Sequence, residues 1–235
     1  AANPCPGGRL ARGRATSHVA ARREVIVTAG AIRSPQLLEL SGIGRADVLN
    51  AIGVPVRHEL TAVGEHYTDH YALRMNWRLR GIGSLNEATH GARLVGAVAK
   101  YLVSRRGILT LGPALCHGFI TVDPEGDRPD TQFLFMHASY ENAARRVLDR
   151  EPGMTIGIIQ QRPHSSGSIH AASADPHRPP AIRPHFLSDP ADQRHVVGAM
   201  RRARRLVSRP SLAPLIVREM NPGPAADDDH ALLAW

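Results

Sequence analysis

The chain has 235 residues, of which 43% are hydrophobic and 4% aromatic, with Pro and Gly dispersed along it. That length supports one good core or two small ones and argues against a disordered or membrane-embedded chain. The net charge of +8 does not make it a nucleic-acid binder, because Lys100 is the only lysine, the arginines fit GC-rich coding, and so few aromatics supply no stacking platform.

Residues 1–20, with Asn3-Pro4-Cys5-Pro6-Gly7-Gly8 and mixed Arg and Ala, show no clean periodicity and are expected to be a loop or a cut end. Glu24 to Thr28 is a short β-branched run predicted as a buried strand. Ser34-Pro35 then supplies an N-cap with proline at the first helical position, opening a mostly apolar helix through Leu37, Leu38 and Leu40 to Ser41-Gly42. A second small helix is expected over 46–52, an extended piece over 56–60 and a loop over 63–70. Partial alternation of Leu73, Met75, Trp77 and Leu79 predicts a half-buried strand over 71–80.

Leu94, Val98 and Leu102 predict a helix over 94–103. The stretch 107–121 reads as loop-rich and then extended. Residues 131–138 and 154–161 read as strands, with 141–153 between them as a charged, mobile excursion over a pocket. Another strand is expected over 168–173, an extended run over 179–184, and then a helix capped by Ser188-Asp189-Pro190. Its apolar stripe is Val196, Met200, Ala203 and Val207, and the arginines from Arg201 to Arg205 form a solvated face. The apolar stretch 107–122 is broken by Gly112, Pro113, Cys116 and His117, so no membrane span is expected. With no signal-like start and only Cys5 and Cys116, the default setting is cytoplasmic, with peripheral membrane association left open.

The segment Thr28 to Gly44, TAGAIRSPQLLELSGIG, resembles the second signature of the glucose-methanol-choline oxidoreductases. Later segments agree in order: Val63-Gly64-Glu65 with Asp69-His70, then Arg162-Pro163, Gly167-Ser168-Ile169, Ser173 to Pro176, Pro184 with Phe186-Leu187, and Asn221 to Pro224. His66, Tyr67, Ser166 and His185 stand where that family usually has Asn, Leu, Arg and Asn. The likeness runs over about 23–235 and is closest in flavour to choline dehydrogenase-like members.

This resemblance implies an α/β (α+β) fold, with a remnant of an FAD-binding, Rossmann-like domain over 1–71 and a substrate domain with an antiparallel sheet and packed helices over 72–235. It implies FAD as cofactor and hydride transfer from a primary, choline-like alcohol, a small-molecule substrate, and it suggests no nucleic-acid partner. Thr28, Ala29, Gly30, Ala31, Ser34, Pro35 and Leu38 are then the expected cofactor contacts. A strand ending in small residues lets a dinucleotide approach backbone, and the helix start offers N–H donors; without the resemblance, Gly30 and Ser34-Pro35 equally suit a plain tight turn. His137 resembles a histidine that faces bound alcohol, although a strand-end histidine of no special role is also consistent with its position.

The family's opening GxGxxG is nowhere in this sequence, and its catalytic histidine segment is missing as well, so the chain is expected to be an internal fragment, inactive alone or a non-catalytic product. No metal site is expected: His66 and His70 flank Asp69 at helical spacing, but Gly64 and a loop-like setting oppose a helix, and there is no HExxH or CxxC. Cys116-His117 is not read as a dyad, since adjacent strand residues face opposite ways. Oligomeric state is left open.

Overall fold

A computed structural model of the chain describes residues 7–13, 15–112, 114–142, 145 and 147–235. In chain order they form β1 (Gly7–Arg12), β2 (Ala15–Ala20), α1 (Gly30–Leu40), β3 (Ile43–Gly44), α2 (Ala46–Ala51), β4 (His58–Glu59), β5 (Ala72–Leu79), α3 (Leu85–Ala88) and α4 (Gly91–Ser104). They continue with β6 (Cys116–Ile120), β7 (Thr131–Met136), β8 (Tyr140–Asn142), β9 (Val147–Leu148), β10 (Gly153–Gln160), β11 (Ser168–His170), β12 (Ala181–Arg183), α5 (Pro190–Val207), β13 (Ile216–Asn221) and α6 (Asp229–Ala234). Two compact units result: Ala1–Tyr67 with Gly167–Arg183, and Thr68–Ser166 with Pro184–Trp235. Cys5 lies outside the described residues.

In the first unit β1 and β2 form an antiparallel hairpin, where a loop was expected. Here local pairing of Gly7 with Ala20 through Arg12 with Ala15 organises a stretch that lacks hydrophobic periodicity. β3 and β4 pair in parallel, and β11 pairs antiparallel with β12. The 63–67 turn is laced to β11 and its lead-in: Ile169 N–H donates to the Gly64 carbonyl at 2.7 Å, and Tyr67 and Gly167 exchange two backbone bonds.

Three expectations about the start of this unit are corrected. Residues 24–28 form no ladder, and Val25 and Ile26 are exposed, Ile26 at 75%. A buried strand needs neighbours on both sides, and no described residue pairs with this run. The helix begins at Gly30, not Ser34, so Pro35 lies inside it and Ser34 is no cap. Its buried face is Gln36 and Glu39 while Leu37 is exposed, because these two find hydrogen-bond partners beneath the helix at the Arg178 carbonyl, His170 and the Ala171 N–H.

The second unit is built on a wholly antiparallel five-stranded sheet ordered β13-β5-β10-β7-β6. Met75 and Trp77 of β5, Met154, Ile156 and Ile158 of β10 and Phe133 of β7 share one face. α5 covers that face with Val196, Met200, Ala203 and Val207, the stripe expected from the sequence, and with Val197 beside them. Asp189 caps α5 by accepting from Ala191 N–H, with Pro190 in the first turn. One arginine departs from the solvated-face reading. Arg204 is half-buried and holds both carboxylate oxygens of Glu219 at 2.8 and 3.0 Å, clamping α5 to β13. The 141–153 excursion contains the β8–β9 hairpin, and Arg78 grips its return through Asp149 at 2.6 Å.

Candidate functional site

The first feature with chemical potential is the entry to α1. Thr28, Ala29, Gly30 and Ala31 are all exposed, and Gly30 has φ +80°, in the left-handed region that favours glycine. A Cβ placed there would meet no atom within 4 Å. The helix has no side-chain cap and no acidic residue in its first turn, so its leading N–H groups present an unblocked partial positive charge. Ser34, Pro35 and Leu38 stand apart from this cluster, half-buried in the helix body.

Beneath α1 lies an ion-pair network that the sequence did not disclose. Glu39, fully buried, accepts from His170 Nδ1 at 2.7 Å and from Ala171 N–H at 2.6 Å. His170 Nε2 stands 3.3 Å from Glu65, which accepts from Arg45 at 2.7 Å. The hydrogen bond from the Arg45 guanidinium holds the Glu65 carboxyl below the usual carboxylate range, against the opposing pull of burial. Gln36, also buried, donates to the Arg178 carbonyl at 2.8 Å and accepts from Arg33 at 2.7 Å. Gly42 has φ +84°, and its carbonyl accepts from both Arg57 and His58. The Ser41 to Gly44 end of the signature therefore serves packing, while its beginning stands exposed.

The second feature is the sheet face opposite α5. Strand register sets His117, Leu134, Gly157 and Arg74 in one row across it, with Phe119, Gln132, Ile159 and Ala72 in the next. Cys116 falls on the other side, facing away from His117 as the dyad argument required. Gln161 Nε2 donates to Gln132 Oε1 at 3.4 Å, and Gln132 Nε2 donates to His117 Nδ1 at 3.0 Å. This polar chain starts beside a hollow of about 280 Å³ lined by Thr68, Asp69, His70, Gln161, Arg162 and Pro163. Two motif fragments far apart in sequence, Asp69-His70 and Arg162-Pro163, thus share one wall. A separate cleft of about 290 Å³ follows the edge of β5, with Tyr71, Arg74 and Asn221 beside Leu232 and Trp235.

His137 follows β7 by one residue and lines neither hollow. Burial pushes its pKa below the ordinary histidine value, and Nδ1 is sealed from solvent without a hydrogen-bond partner. Burial thus favours the neutral form of the ring. Among the described residues no group of three His, Cys, Asp or Glu side chains is arranged to hold a metal ion. Nor is any described helix long and apolar enough to cross a membrane.

Two family models, both described as GMC oxidoreductase, match residues 7–72 and 163–234, together more than half of the chain. The chain belongs to the GMC oxidoreductases. Members of this family are FAD-dependent flavoproteins. Among curated relatives, an alcohol dehydrogenase [acceptor] of Pseudomonas putida is 34% identical over 212 residues, 90% of this chain and 38% of that protein. An oxygen-dependent choline dehydrogenase of Stenotrophomonas maltophilia (strain K279a) is 32% identical over 216 residues, 92% of this chain and 38% of the relative. The chain thus spans about 38% of the length of these relatives. Solved structures with the same fold include a formate oxidase of Aspergillus oryzae RIB40, with TM-score 0.84 and 22% identity over 98% of this chain and 46% of that one. A pyridoxine 4-oxidase from Mesorbium loti superposes with TM-score 0.79 and 20% identity over 99% of this chain and 42% of its own.

Proposed function

We propose that this GMC chain is part of an FAD-dependent oxidoreductase acting on the CH–OH group of a primary alcohol. The observation that carries the reading is the exposed, uncapped entry to α1 at Thr28–Ala31, where a left-handed glycine and unblocked N–H donors suit the phosphate-bearing half of a dinucleotide. FAD would supply the hydride acceptor. Thr28, Ala29, Gly30 and Ala31 would lie against it, while Ser34, Pro35 and Leu38 shape the helix that presents them. His137 is the group this reading assigns to hydrogen-bond the alcohol oxygen; the assignment rests on the resemblance, since the ring lines neither hollow and its Nδ1 is sealed from solvent. The names of the relatives support a small alcohol, with a choline-like one as the finer assignment, and a cytoplasmic setting accompanies it.

A second reading takes the exposed Val25 and Ile26 as a surface open to a partner and the chain as a non-catalytic product or binding module of the same fold. One experiment separates the two. The chain is expressed alone, and also in place of its matched segment in the Pseudomonas putida alcohol dehydrogenase [acceptor]. Each is examined for bound flavin by visible absorbance and for dye reduction with 1-hexanol and with choline. A yellow chimera that reduces dye, beside a colourless isolated chain, supports the oxidoreductase reading; a folded chimera that holds no flavin refutes it. Choline turnover in excess of hexanol turnover supports the choline-like assignment, and the reverse removes it.

A further inference from the structure

The two halves of α5 meet the rest of the second unit differently. In the second half Met200, Ala203 and Val207 share the apolar core with Trp77 and Met154, and Arg204 pairs with Glu219. The first half also meets a polar cluster. Asp192 accepts from Gln160 of β10, and one turn later His195 Nε2 stands 2.8 Å from the hydroxyl of Thr131, which opens β7. Thr131 and Gln160 are partners across the two strands. Thr131 is fully buried and the His195 side chain only 12% exposed. A Cβ at Gly198 would lie 2.8 Å from Val122, so α5 comes close to the segment that follows β6. The Thr131 hydroxyl donates its only hydrogen to Asp130 at 3.0 Å, and its oxygen therefore accepts from His195 Nε2. Asp130 is fixed in turn by the N–H groups of Val122 and Asp123. Nε2 thus carries a proton already, and no described residue accepts from Nδ1. A second proton on this ring would place a charge and an unpaired donor beneath the helix.

We propose that His195 is an acid-sensitive latch: with a neutral ring it ties the first half of α5 to β7, and its protonation opens that half while the apolar second half stays docked. Charges face the ring from four segments, Asp192 of α5, Asp123 after β6, Asp130 before β7 and His164 after β10. Burial, aided by His164, keeps the ring below the ordinary histidine value of 6.5 against the pull of the Asp130, Asp192 and Asp123 carboxylates. An opened helix binds this proton more tightly than a docked one. Docking is therefore strongest above pH 6.5 and weakens as the pH falls below that value. At about pH 5.5 aspartates still hold their charge, which separates this event from acid unfolding. The latch lies within the second unit and does not rest on the flavin reading.

The test is amide hydrogen exchange of the full chain at about pH 7.5 and about pH 5.5, corrected for the intrinsic effect of pH on exchange, which reads local opening along α5. Protection over residues 193–198 is expected to fall roughly fivefold at the lower pH while that over 202–207 is unchanged. His195→Gln keeps an N–H donor toward Thr131 but does not titrate, and its 193–198 protection should be the same at both values. The wild-type ring is followed in parallel by NMR, assigned through its contact with Thr131, and should titrate below 6.5. This second readout decides even where His195→Gln fails to fold. Equal protection of 193–198 at the two pH values overturns the proposal, as does an equal loss in both halves of α5 or the same loss in His195→Gln. A ring that titrates at or above the ordinary histidine value overturns it as well.

Discussion

Glu39 and His170 are 131 residues apart in sequence and meet at 2.7 Å beneath α1, where Glu39 is fully buried. A buried carboxylate is tolerated only while its partners stay in place, so removing one costs more than the pair contributes when intact. His170→Ala is expected to destabilise the chain by about 3–5 kcal/mol. Glu39→Gln should cost less, since an amide oxygen can still accept from Ala171 N–H. Urea unfolding of the two variants checks the order, and equal costs would remove the charge from the explanation.

Gly42 is fixed by geometry of a different kind. At φ +84° a Cβ would stand 2.6 Å from the Pro55 carbonyl oxygen, so Gly42→Ala meets backbone that cannot step aside. The left-handed conformation alone costs a side-chain-bearing residue about 1–2 kcal/mol, and the collision adds to it. A loss of about 3 kcal/mol or more in thermal unfolding is expected. Gly30→Ala shares the left-handed backbone with open space around it, and should lose only the first part.

That contrast makes Gly30 a probe of the ligand reading as well. In the Pseudomonas putida chimera, Gly30→Val would crowd the α1 entry with little effect on packing beyond the strain at one residue. Lower flavin content per folded protein is expected, read as the ratio of visible to ultraviolet absorbance. Undiminished flavin in a folded Gly30→Val chimera would show that the entry to α1 does not face the cofactor.

How far the sequence disclosed this molecule depends on which interactions decide each part. The stripe of α5, the cap at Asp189 and the strands over 131–136 and 153–160 follow from periodicity and local chemistry, and all were legible. β13 was not, because two register irregularities break its alternation against β5. Residues 24–28 have the composition of a buried strand but no partner among the described residues, and strand formation is a property of neighbours. Glu39 sits inside Leu37-Leu38-Glu39-Leu40, where hydrophobic pattern favours the leucines. Only contacts to residues 170 and 171 explain why the glutamate is the buried one. For the same reason Arg204 passed as one of a run of solvated arginines until Glu219 supplied its partner.

Asp192 supplies the pH dependence. Fully buried at the first turn of α5, it accepts from Gln160 Nε2 at 2.7 Å, His164 N–H at 2.9 Å and Ser165 N–H at 2.7 Å. Burial by itself would raise its pKa, but the hydrogen bonds from Ser165, His164 and Gln160 outweigh that and hold the carboxyl below the ordinary value of 3.8. A group that binds its proton more weakly in the folded than in the unfolded chain stabilises folding above its unfolded pKa, and that contribution is lost as pH falls through the folded one. Asp192→Asn presents an amide group toward donors, so at pH 7 it should cost about 1–3 kcal/mol for each donor left unpaired. It should also flatten the decline of stability below about pH 4, where unfolded aspartate takes up its proton. Urea midpoints at pH 7, 4 and 3 compare the slopes directly. A wild-type decline no steeper than the variant's over that range would mean that carboxylates other than Asp192 govern acid unfolding.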